Sequence, residues 1–197
     1  MQDIRNELVL AGFAVLAEEG YPGFTQPKVA ARAGVRQSHL TYYFPTRLAL
    51  LEAVASSAIE QQLAAIGALA DIPDEDERIA MVASALSQPT VIRVLVALVQ
   101  SADKEPSIAI LFRDLVERML GNVDRVIGRP EGSEHSAATR LFHALSVGLA
   151  VLNLATARSD APAITTETLK LALSLLRGEQ VPTPVSSPNL QSKGLKE

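Results

Sequence analysis

The run AGVRQSHLTYYFPTR, residues 33–47, holds two arginines, a histidine, two threonines and three consecutive aromatics, with no acid among them. The chemistry these types offer is hydrogen bonding to nucleic acid. Arg36 forks onto guanine and Gln37 onto adenine when they reach base edges. The hydroxyls of Thr25, Tyr42 and Tyr43, and the cations of Lys28 and Arg47, suit phosphate oxygens. Ser38, His39 and Thr41 lie on the same polar side. Tyr43 is also within about 60° of Leu40 on a helical wheel, so it is placed to pack as well. Thr25 is expected both to cap a helix and to meet a phosphate.

Catalytic patterns are missing from the sequence. It has no His-Glu-x-x-His pair, no Gly-x-Ser-x-Gly and no phosphate loop. Its three histidines, His39, His135 and His143, have no metal-like neighbours, and it has no cysteine. An enzyme on a helical bundle is therefore a minor alternative, and no cofactor or metal is expected.

Charge is distributed unevenly. The net charge is −4, yet the first fifty residues hold five basic side chains (Arg5, Lys28, Arg32, Arg36, Arg47) against four acids (Asp3, Glu7, Glu18, Glu19). Between Glu19 and Glu52 no acid occurs. An acid-free basic window in an acidic chain suggests a polyanion-binding surface, with Arg32 directed to solvent.

The elements that must position these groups are all helical. Ile4, Leu8, Ala11, Val15 and Leu16 recur at helical spacing, and GYPGF (20–24) ends that first helix. A short helix follows Thr25, with Pro27 in its first turn, and stops at Gly34. A third runs from Arg36 or Gln37 to Phe44. Leu40 and Phe44 share its inner face, to pack on Val29, Ala30 and the first helix. Three short helices with a tight glycine turn match a helix-turn-helix unit. A fourth helix spans about 45–69, with Thr46 as cap. Five more are expected, starting near residues 74, 88, 104, 135 and 165. The most apolar stretch, 141–157, reads as a buried helix because a membrane span needs ~20 apolar residues. The Pro/Ser-rich end, 181–197, has little to bury and is expected to be mobile.

At this point the residues resemble the TetR family of transcriptional regulators. Thr25, Val29, Ala30, Ala33, Gly34, Val35, Leu40, Tyr43, Phe44, Arg47, Leu50 and Leu51 carry the likeness, with Ala11, Leu16, Gly20 and Tyr21 before them. It covers roughly residues 4–55. Ser38, His39 and Thr41 depart from the family's habit, which bears on the base sequence read rather than on the fold.

The resemblance implies an all-α protein of about nine helices. Residues 1–47 would be the DNA-binding domain, 48–180 a ligand-binding and dimerisation domain, and 181–197 a flexible tail. It implies a homodimer in which the last two long helices form a four-helix bundle with their copies. Expected contacts there are Ala137, Leu141, Ala144, Gly148, Leu152 and Ala155 on one helix, and Leu169, Leu173 and Leu176 on the other. It also implies a pocket for a small apolar effector in the middle helices. Apolar candidates are Met81, Leu95, Val99, Leu111, Phe112, Leu115 and Met119; polar ones are Gln100, Arg113, His143 and Asn153. The function implied is a cytoplasmic, ligand-responsive repressor released from double-stranded operator DNA, with the 45–69 helix as lever. The remaining alternative is a helical interaction protein whose helix-turn-helix no longer binds DNA.

Overall fold

The structure, a computed structural model, describes residues 2–129 and 135–179. Among them it holds nine α-helices and no strand: α1 (Gln2–Gly23), α2 (Gln26–Arg32), α3 (Gln37–Tyr43), α4 (Arg47–Ala70), α5 (Glu75–Ala85), α6 (Pro89–Ala102), α7 (Pro106–Val126), α8 (Ala137–Thr156) and α9 (Ala161–Arg177). The expected tail, 181–197, and most of the 129–134 loop lie outside the described residues.

Local chemistry sets most boundaries. Gly20 bends α1 through a left-handed φ of 67° that a side chain would strain, so the helix ends in a kinked turn through Pro22. Gly34 takes φ 68° and turns the chain from α2 to α3. The Thr46 hydroxyl accepts the Ala49 N–H at 3.0 Å and starts α4. Asp74 does the same for α5 by accepting from Glu77 N at 2.7 Å, with Glu75, Asp76 and Glu77 in the positive first turn. The last helix starts four residues before its expected threonine. Ser-Asp-Ala-Pro reads as a loop, but Pro162 sits in the first turn, where its missing N–H costs nothing.

Two apolar clusters form the interior. The first joins Leu8, Leu16, Phe24, Val29, Leu40 and Phe44 of the N-terminal helices to Leu50, Leu51, Val54 and Ala55 of α4. It continues through Val94, Leu98 and Ile108 of α6 and α7, so packing does not break at residue 47. α1 lies close on α4: a Cβ on Gly12 would stand 2.6 Å from Val54 Cγ2. The second cluster takes the other half of α4 (Ile59, Leu63, Ile66) with Ile79, Met119, Phe142, Leu169 and Leu173. One rigid helix thus carries residues of both cores.

The side chain of Arg78 is buried and fully used. Its Nε donates to Val126 O at 2.9 Å and a terminal nitrogen to Ile72 O at 2.5 Å, which pins α5 to the end of α7. α8 departs from the expectation of a buried helix. Leu141 and Leu152 are 60% and 59% exposed, because one side of α8 has no protein against it. By length and composition α8 could cross a membrane.

Candidate nucleic-acid interface and effector cavity

The helix-turn-helix is held by a small set of contacts. Leu40 and Phe44 are buried against Val29 and Ala30, as the spacing requires. Gln26 donates its amide to Phe44 O at 2.7 Å, satisfying the C-terminal end of α3. Arg5 lies over the Phe44 ring at 5.2 Å. This packing leaves one edge of α3 bare. Arg36, Gln37, Ser38 and His39 are exposed, and Tyr42 is 74% exposed. Neither the Arg36 guanidinium nor the Gln37 amide has a hydrogen-bond or ion-pair partner among the described residues. Thr41 and Tyr43 are half-buried. The Thr41 hydroxyl donates to Ser38 O at 3.1 Å, and Tyr43 packs between His39 and Tyr42, 5.5 and 5.2 Å between ring centres.

Three expectations are corrected here. Thr25 stands at the N-cap of α2 but makes no side-chain cap hydrogen bond, so its hydroxyl is uncommitted. Arg32 does not simply face solvent. It pairs in a fork with Glu18, one N–O distance being 2.9 Å, and holds that carboxyl below its usual range. Lys28 likewise pairs with Glu19. Two of the four cations in the acid-free window, Lys28 and Arg32, are thus paired with acids of α1.

Arg47 is the third correction. It was expected at phosphate, but it is half-buried and turned inward. Its Nε donates to Phe24 O at 2.7 Å and a terminal nitrogen to Tyr21 O at 2.8 Å, while the guanidinium lies 4.3 Å from the centre of the Tyr21 ring. Tyr21 in turn donates to Glu105 Oε1 at 3.1 Å, in the α6–α7 turn. Sequence reading missed Tyr21 and Glu105 as a linked pair. They are 84 residues apart, and nothing local signals the contact.

Residues 8–54 match the family model for bacterial regulatory proteins, tetR family. The head, residues 8–54, is similar to that family. No curated protein matches the chain in sequence. Solved structures share its fold along nearly its whole length. A transcriptional regulator from Rhodococcus sp. Rha1 is 22% identical, with a TM-score of 0.74 over 90% of this chain and 99% of that one. A putative TetR-family regulator from Mesorhizobium loti is 16% identical, with a TM-score of 0.75 over 90% and 96%. A putative regulator from Saccharomonospora viridis, in complex with choline, is 18% identical, with a TM-score of 0.69 over 86% and 95%. The tetR-type head thus sits on a helical body of the same fold.

The body encloses a cavity of about 380 Å³ between α4, α5, α6, α7 and α8. Seven of the expected residues line it: Leu95, Val99, Gln100, Phe112, Leu115, Met119 and His143. Four do not. Met81 is 46% exposed on the outside of α5. Leu111 fills the contact between the two cores. Arg113 lines a shallow outer depression. Asn153 donates to Thr165 Oγ1 at 2.9 Å and to Ser87 Oγ at 3.3 Å, a brace between helices. Gln62, Val116 and Ser146 line the cavity without having been expected.

The proposed interface residues also divide. Leu141, Ala144, Gly148, Leu152 and Ala155 form one exposed stripe on α8, and Ala137 is exposed at its start. On α9, however, Leu169 and Leu173 are 0% and 4% exposed and belong to this chain's own core. Leu176 is half-buried against the same core. The bare apolar residues of α9 are instead Ile164, Leu171 and Leu175.

Proposed function

We propose that the protein is a homodimeric, ligand-responsive transcriptional repressor that binds double-stranded operator DNA in the cytoplasm. The observation that carries this reading is the unpartnered Arg36–Gln37 edge at the start of α3, in a head similar to the tetR family. In a helix-turn-helix the N-terminal residues of the second helix meet base edges in the major groove. Ser38, His39, Thr41 and Tyr42 continue that edge, and the free hydroxyl of Thr25 is available to a phosphate.

Two copies would join along the bare stripes of α8 and α9, since contiguous exposed leucines and valines mark an association surface. Pairing sets two heads at half-sites ~34–36 Å or more apart. A molecule in the body's cavity that prefers a different spacing of the heads weakens DNA binding by its differential affinity for the two states. α4 is built to transmit this, because its first half packs in the head and its second half in the body.

The test is selection of duplexes from a random pool, followed by Gln37→Ala and Arg36→Ala. Each change should relax preference at one base position and cost about 1–3 kcal/mol on the selected duplex. If no duplex is enriched over random DNA, the head is an interaction module instead. The pairing of Lys28 and Arg32 with Glu19 and Glu18 is the feature that favours this second reading.

A further inference from the structure

The cavity's lining says what kind of molecule it suits. Its walls are aliphatic and aromatic, from Ile66, Leu95, Phe112, Leu115, Met119 and Phe142 among others. No Asp, Glu, Lys, Arg or Tyr is among the lining residues. Four polar side chains reach it: Gln62, Gln100, His143 and Ser146. The Ser146 hydroxyl already donates to Phe142 O at 2.8 Å. The other three have no hydrogen-bond partner among the described residues. Of these, Gln100 is exposed at the rim and Gln62 is half-buried at the α4 wall. His143 projects from α8 beside Phe142, and burial pushes its imidazole below the ordinary histidine range.

We propose that the cavity takes an uncharged, mostly apolar molecule carrying one hydrogen-bonding group, and that the His143 imidazole receives that group. This rests on reading the cavity as the effector site. An ionised headgroup would lose its hydration there and meet no opposite charge. Arg113 and Glu117, which share the outer depression with Val99, Phe112 and Val116, are exposed and lie outside the lining. A neutral imidazole offers one donor and one acceptor, so a hydroxyl, carbonyl or amide satisfies it.

Three probes with one apolar body separate the cases: decanol, decanoate and decylammonium, titrated calorimetrically into the full chain without DNA. Decanol should bind, and both ions should bind at least about tenfold more weakly. His143→Leu, which keeps the wall apolar, should weaken decanol about tenfold by removing one hydrogen bond. Occupancy of this cavity is read separately. The chain has no tryptophan, so Val99→Trp at the half-exposed α6 rim places a single indole whose emission should shift blue on adding decanol. The proposal is overturned if either ion binds as tightly as decanol, if His143→Leu leaves decanol unchanged, or if the indole does not respond. Because no arm contains DNA, a failure here leaves the DNA-binding assignment standing. Failure of duplex selection would leave this result standing in turn.

Discussion

Arg47 stands 4.3 Å over the ring of Tyr21 and donates to that residue's own carbonyl at 2.8 Å. The first residue of α4 is thereby fastened to the kinked end of α1. Through the Tyr21 hydroxyl the same group reaches Glu105, between two helices that line the cavity. A cation over an aromatic face with two carbonyl acceptors is a stabilising arrangement in its own right. Arg47→Met should therefore lower unfolding free energy by about 1–3 kcal/mol, since Phe24 O and Tyr21 O lose their donor. It should leave the salt slope of DNA binding unchanged. A phosphate-binding cation would instead reduce that slope by about one on removal. Denaturant unfolding and a salt titration on the selected duplex separate the two roles.

Pairing of Arg32 with Glu18 and Lys28 with Glu19 gives an inverse prediction. Exposed pairs of this kind contribute little to stability, but each masks a cation of the head. Glu18→Gln should steepen the salt dependence of DNA binding by about one phosphate equivalent and tighten binding at low salt. Thermal stability should hardly move. A fluorescence anisotropy titration at several salt concentrations is the measurement. An unchanged slope would place Arg32 away from the duplex.

The bare stripe of α8 and the buried face of α9 make the proposed dimer testable. Leu152 on α8 is exposed and Leu169 on α9 is fully buried. Leu152→Glu should give a folded monomer by sedimentation, with an unchanged helical spectrum. Leu169→Ala should instead cost about 2–5 kcal/mol of stability through a core cavity, with assembly retained below its melting point. A Leu152→Glu chain that still sediments as a dimer would move the interface off the α8 stripe.

Where the sequence was legible, the determinants were local. Leu40 and Phe44 share a face by spacing, Thr46 caps the helix it precedes, and Gly34 sits where the backbone turns left-handed. These facts lie within a few residues of one another. The misreadings of the arginines involve partners distant in sequence. Arg32 on α2 meets Glu18 on α1, 14 residues back, and Arg47 meets a carbonyl 26 residues back. An arginine's fork fits a backbone carbonyl as readily as a phosphate, so type and position alone do not choose. Leu169 and Leu173 fell on the wrong side because α9 carries apolar residues on two faces. Periodicity shows that both exist and not which one meets its own core. The cavity's polar members Gln62 and Ser146 gave no signal, being ordinary helix residues until five helices surround them.

His143 supplies a pH dependence whose sign follows from its surroundings. Burial lowers its folded-state pKa below the unfolded value of about 6.5. No acid or second titratable group lines the cavity to offset this. The unfolded chain then binds more protons at this residue than the folded chain, so stability rises with pH across that interval. The contribution is fully present above about pH 6.5, is lost as pH falls toward the depressed folded value, and is flat below it. His143→Leu removes the step. The melting temperature of the native chain should therefore fall more than that of the variant between about pH 7 and pH 5. Decanol affinity in the native chain should hold until pH reaches the depressed folded value, where the imidazole charges, and fall there. Parallel melting curves for the two proteins would mean that His143 titrates as freely folded as unfolded, with its ring in water rather than in the cavity.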